Sequence, residues 1–116
     1  MKQAFIFAGL LALASGAYAE TLNTPSFTIE IKVNCPEGDV TCDNVSYLGK
    51  SKKSGNSISL RGRTMHSLCA DGKTPCRFLG YEFKRGDTRY LVQESGELLV
   101  TQGKKVLVQE QGEWQY

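Results

Sequence analysis

Phe27-Thr28-Ile29-Glu30-Ile31-Lys32-Val33 runs through Asn34 into Cys35-Pro36-Glu37-Gly38-Asp39-Val40-Thr41-Cys42. In the first part, apolar side chains alternate with Thr28, Glu30 and Lys32. That is a period of two, the signature of a strand with one buried face. In the second part a glycine stands three residues after a cysteine, where a tight reversal wants a positive φ, and the acid before it is a common turn residue. Beyond Cys42 the alternation resumes at Val45 and Tyr47. The stretch therefore reads as strand, reversal, strand, and predicts an antiparallel β protein.

The same octapeptide pattern returns at Cys69-Ala70-Asp71-Gly72-Lys73-Thr74-Pro75-Cys76, and the two copies use all 4 cysteines of the chain. Opposed Cα atoms of an antiparallel pair stand about 4.5–5.5 Å apart, within reach of a disulfide. The expected bridges are Cys35–Cys42 and Cys69–Cys76, although crossed connectivities stay open at this point. Zinc ligand pairs usually lie ~2–4 residues apart, closer than these cysteines, and a Cys-x-x-Cys redox site is absent. The repeat also suggests a loose internal duplication.

Elsewhere the chain reads as short β runs between turn residues. Residues 20–25 look like a loose N-terminal lead. Residues 49–56 are rich in Lys, Ser and Gly and read as an exposed loop. Ile58 and Leu60 begin a strand that continues through Gly62 toward Thr64. Residues 78–83 form another, with Phe78 and Gly80 expected on one face and Leu79, Tyr81 and Phe83 on the other. Arg85-Gly86-Asp87, Ser95-Gly96 and Gln102-Gly103 are turns, and the segments between and after them complete the set. No segment keeps helical periodicity. Such spacing of turns predicts an all-β domain of about seven or eight strands, mostly a meander. A small antiparallel barrel or a curved sheet removes free edges, and a sandwich is the alternative.

Residues 1–19 have the form of a secretory leader: Lys2, an apolar run over residues 4–14, and Ala17-Tyr18-Ala19 as a small-x-small cleavage site. Cleavage before Glu20 leaves residues 20–116 as a single β domain without a membrane span, expected in the periplasm or secreted. Export makes disulfides the default state of the cysteines. Cleavage also removes one of the 14 basic residues, leaving 13 against 12 acidic residues, a net charge of +1. That balance does not suggest a nucleic-acid binder.

No catalytic constellation is expected. The chain has 1 histidine, His66. It adjoins Ser67, and neighbouring residues on a strand point to opposite faces, so the two do not form a nucleophile–base unit. The carboxylates beside the turns (Glu82, Asp87, Glu94 and Glu97) read as solvated. Neither a phosphate loop nor a calcium loop is present, and no cofactor or metal is expected. What remains is binding. Lys50, Lys52, Lys53, Arg61 and Arg63 form a basic series without an intervening acid and are the expected partner-binding residues. Tyr81, Phe83, Tyr90 and Trp114 are expected mainly in the core, and Tyr81, Tyr90, Trp114 and Tyr116 are the aromatic residues available as anchors.

The leader, the length, the small β domain and the disulfides resemble small exported inhibitor proteins of Gram-negative bacteria, the C-type lysozyme inhibitors among them. The size and export are also similar to periplasmic immunity proteins that neutralise type VI secretion effectors. From Val33 to Trp114, with the two octapeptides and Phe78-Leu79-Gly80-Tyr81-Glu82-Phe83, the chain looks like an uncharacterised family of enterobacterial periplasmic proteins. The resemblance implies a non-enzymatic inhibitor or immunity protein that occludes a secreted, cell-wall-acting hydrolase. The alternative is an envelope module that contacts glycan, lipid or another envelope protein. The Ser-Gly-x-x-Tyr loop of the lysozyme inhibitors has no counterpart, because Ser54-Gly55 is followed by Asn56-Ser57-Ile58 and Ser95-Gly96 by Glu97-Leu98-Leu99. No family site residue is therefore carried over.

Overall fold

The computed structural model describes residues 18–115. Most of the leader reading, at residues 1–17, and Tyr116 lie outside that range. The described residues form nine antiparallel strands: β1 Tyr18–Asn23, β2 Phe27–Val33, β3 Val45–Ser51, β4 Ser57–Leu68, β5 Pro75–Arg85, β6 Thr88–Gln93, β7 Glu97–Gln102, β8 Lys105–Gln111 and β9 Glu113–Gln115. Each strand from β1 to β7 pairs with the next, and β9 returns to pair with β1, giving a nearly closed barrel. The segment read as a loose lead is a strand, because its backbone is paired with β2 on one side and β9 on the other.

Alternation fills the interior. Ile29, Ile31 and Val33 of β2, Val45 and Tyr47 of β3, Tyr81 and Phe83 of β5, Val92 of β6, and Leu98 and Val100 of β7 are buried together. Leu22 adds the contribution of β1. Tyr90 and Trp114 are partly buried against this core, as expected for most of the aromatic set.

The faces of β5 depart from strict alternation. Met65 pairs with Gly80 but His66 with Phe78, so Leu79 is an extra residue on β5. Gly80, at φ 143°, provides the backbone conformation that this bulge needs. As a result Phe78 shares the inner face with Tyr81, ring against ring at 5.2 Å. Leu79 turns outward beside Met65 and Leu91. The assignment of Phe78 to the face opposite Tyr81 is thereby corrected.

Closure depends on Gly112. There the C-terminal segment leaves β7 and passes to β1, with Gly112 N donating to Gly96 O at 2.8 Å. A Cβ at this position would stand 2.4 Å from Asn23 O, so only glycine lets the two backbones approach. Nearby, the Glu110 carboxylate accepts hydrogen bonds from Ser26 N, at 3.0 Å, and from the Ser26 hydroxyl. Lys52 Nζ donates to Thr24 O at 2.7 Å. These contacts latch the β1–β2 turn to β8 on one side and to the β3–β4 hairpin on the other. Burial alone would raise the Glu110 pKa. The hydroxyls of Ser26 and Thr24, the Ser26 N–H and the Lys52 charge outweigh it and hold the carboxyl below its ordinary value.

Candidate functional site

The antiparallel order places both cysteine octapeptides at one end of the barrel. The first joins β2 to β3 and the second joins β4 to β5. Both expected disulfides are formed, with Cα–Cα distances of 5.8 Å for Cys35–Cys42 and 5.0 Å for Cys69–Cys76. Gly38 and Gly72 take the positive φ that the sequence pattern calls for.

The strands around the second octapeptide are longer than their neighbours. β3 pairs with β4 only as far as Gly62, and β6 pairs with β5 only from Gly80. The last bonds to neighbouring segments are Thr64 N to Cys42 O and Glu94 N to Leu79 O, so residues 65–78 run beyond the wall as a two-stranded arm with the disulfide Cys69–Cys76 at its tip. The arm is braced at its base, where Thr64 N donates to Cys42 O at 2.9 Å and Cys42 N donates to Thr64 Oγ1 at 3.0 Å. Its tip is held by Asp71, whose Oδ1 accepts from Lys73 N and Thr74 N, both at 2.9 Å, and whose Oδ2 accepts from the Thr74 hydroxyl. Led by the Thr74 hydroxyl, these donors lower the Asp71 pKa to about 2. The arm is thus a fixed projection, although an isolated hairpin of this kind is only marginally stable.

Two large apolar side chains stand in water at this end, one beside each disulfide: Val40 at 69% exposure and Leu68 at 59%. Beside Val40 the barrel mouth opens as a cavity of about 350 Å³. Phe78, Tyr81 and Trp114 form its aromatic wall, and Glu20, Asp39, Glu94 and His66 its polar lining. Tyr81 donates to Glu20 Oε1 at 3.0 Å, and Trp114 Nε1 donates to Glu94 O at 2.9 Å. His66 Nε2 lies 3.2 Å from Thr64 Oγ1, while Ser67 Oγ accepts from Arg77 N at 3.1 Å. Ser67 is thus engaged with the neighbouring strand of the arm. Among the described residues, no group of three or more His, Cys, Asp or Glu side chains gathers to hold a metal ion.

The three predicted partner-binding lysines do not share one exposed loop. Lys50 lies on β3, since strand pairing persists through Ser51 and the connecting hairpin is shorter than residues 49–56. Lys53 is exposed in that hairpin, and Lys52 is committed to the Thr24 latch. Arg61 and Arg63 share the outer face of β4, as their spacing predicts. Arg61 Nη1 donates to Asn44 Oδ1 at 3.2 Å. Arg63 donates to Glu82 Oε1 through Nε at 3.1 Å and Nη2 at 3.0 Å, and Arg89 Nε donates to Glu82 Oε2. Glu82 is only 5% exposed, against 62% for Arg63 and 48% for Arg89. Burial would raise its pKa, but the hydrogen bonds and charges of Arg89 and Arg63 outweigh this and lower it. The outer faces of β4 to β6 thus carry Arg61, Arg63, Lys84 and Arg89 near the sequestered Glu82, with Asp43 beside them, whereas Lys50 lies at the far end of β3 opposite Ser57.

The five predicted partner-binding residues leave out Lys84 and Arg89, and although the disulfide-closed loops read as protruding surfaces, the length of the arm was not foreseen. The arm had a signal: the β run from Ser57 to Leu68 lasts 12 residues without a turn residue pair, whereas the strand after Cys42 lasts 7. Lys84 and Arg89 become part of the basic wall only once the register of β5 with β6 is fixed.

Among the described residues no helix is long and apolar enough to cross a membrane, which together with the two disulfides is compatible with export. Comparison with protein families, with curated proteins and with solved structures finds no match.

Proposed function

We propose that this chain is a non-enzymatic inhibitor or immunity protein, exported to the periplasm, that binds and occludes a secreted hydrolase acting on the cell wall. The observation that carries the reading is the arm beyond the barrel wall, clamped at its tip by Cys69–Cys76, with Leu68 exposed beside the clamp. A projection already fixed in shape loses little conformational freedom on entering a cleft, so more of the contact energy appears as affinity. Leu68 and Val40 supply apolar contact points on disulfide-held backbone. The basic wall of β4 to β6 suits an enzyme whose cleft carries the paired carboxylates of glycoside hydrolysis, and would steer its approach.

The test uses the full mature chain as bait against periplasmic extract and competitor secretions, followed by a hydrolysis assay on each captured enzyme. Inhibition of a captured hydrolase at stoichiometric bait is the expected result. Leu68→Asp should weaken binding about tenfold, some ~1.4 kcal/mol, with an unchanged melting temperature. Capture without inhibition, or equal affinity for the Asp variant, defeats the reading.

A further inference from the structure

A second cavity, of about 330 Å³, opens at the barrel end away from the staples. Phe27, Ile58, Leu98 and Val108 line it together with Tyr47 and Tyr90. This is near the lower limit for small-molecule sites, which are mostly apolar with a few placed polar groups. Here the deep polar group is the phenol of Tyr47. The residue is 3% exposed, and its ring leans along β3 over Gly49, another wall residue. A Cβ on Gly49 would stand 2.7 Å from the Tyr47 oxygen, so glycine is what gives the phenol its place. The contacts of Tyr47 are ring contacts, with Phe83 at 5.0 Å and Tyr90 at 5.6 Å. No protein group among the described residues accepts a hydrogen bond from its hydroxyl.

A buried hydroxyl without a partner costs free energy that Phe would avoid. Burial, followed by the neighbouring Tyr90, also pushes the Tyr47 pKa up, so the group remains an O–H donor at physiological pH. Ser51, Asn56 and Ser57 also line the cavity but no cation does, and Lys52 in the adjoining hairpin is held by the Thr24 latch, so a carboxylate would lose its hydration without meeting an opposite charge. We infer that this cavity is a binding site for a small, uncharged, apolar molecule bearing one carbonyl oxygen, an ester or ketone, which accepts the Tyr47 hydrogen bond. The site lies at the end opposite the arm, so its fate and that of the inhibitor reading are separable.

The probe is methyl hexanoate, titrated into the intact chain and followed by amide chemical shifts and calorimetry. Saturable one-to-one binding is expected, with shifts centred on Gly49, Ile58, Leu98 and Val108. Tyr47→Phe should bind it about five- to tenfold more weakly, as the loss of one hydrogen bond predicts. Heptane, lacking the acceptor, should bind both proteins alike, and the hexanoate anion should bind more weakly than its ester. Ile58→Trp, at the partly exposed wall, should block the cavity in a folded protein. Absence of saturation, equal ester affinity for Tyr47→Phe, or shifts centred on His66 and Trp114 would each overturn the assignment.

Discussion

Glu82 shows how one side chain organises a surface. Its neighbours in space, Arg63 and Arg89, come from the two flanking strands, and each would otherwise add to an uncompensated basic wall. Because the folded pKa lies below the unfolded one, ionised Glu82 contributes stability above its ordinary pKa of 4.5, and that contribution is lost as pH falls through the depressed value. Glu82→Gln should therefore lower stability by about 1–2 kcal/mol at neutral pH, a discounted figure because both arginines are half-exposed. The gap between variant and parent should close in acid denaturation series below the ordinary carboxyl range. A gap independent of pH would mean that the network contributes through packing alone. Tyr47 predicts the opposite sign. Replacing it with Phe removes a buried donor without a protein partner, so urea unfolding of the ligand-free protein should show a gain of roughly 1 kcal/mol. A loss of stability would show that the hydroxyl is satisfied.

At the scale of elements, the two disulfides close loops of equal length but sit in unequal surroundings. On the chain-entropy model each adds about 2–3 kcal/mol. Cys42 is 4% exposed and exchanges hydrogen bonds with Thr64, so Cys35–Cys42 is tied to the barrel wall. Cys69–Cys76 terminates an arm that the flanking strands do not reach. The Cys69→Ser/Cys76→Ser pair should let the arm fray, with hydrogen exchange accelerating over residues 66–78 while the core of β2 and β3 stays protected. Cys35→Ser/Cys42→Ser should lower the melting temperature further and unprotect the core. The reverse ranking would contradict this division. Much of this layout was legible in the chain: Ile29, Ile31 and Val33 announce β2, and the paired Cys-x-acid-Gly patterns announce both reversals. β1 was not legible because, among its described side chains, Leu22 is the one in the core, and one of its two strand partners is distant in sequence. The inward turn of Phe78 was hidden because it depends on one inserted residue, which no alternation rule locates.

For the whole molecule, the order of turns separates chemistry by end. The stapled end gathers Glu20, Asp39 and Glu94 around the aromatic mouth, whereas the hairpins at the other end carry Lys52, Lys53, Lys104 and Lys105. Which residues would meet at each end followed from strand count and register, and not from local composition; Lys50 and Lys52 therefore looked like parts of one exposed loop when the first lies on β3 and the second in a latch. Closure of the barrel has a further consequence, in time and not in space. β1 stands near the beginning of the chain, and its outer partner, Glu113–Gln115, near the end. A chain that emerges N-terminus first holds the β1 edge open until Glu113–Gln115 has followed, so this pairing comes after those of the strands between. During that interval β1 is an accessible template for another chain, the hazard that unpaired edges carry.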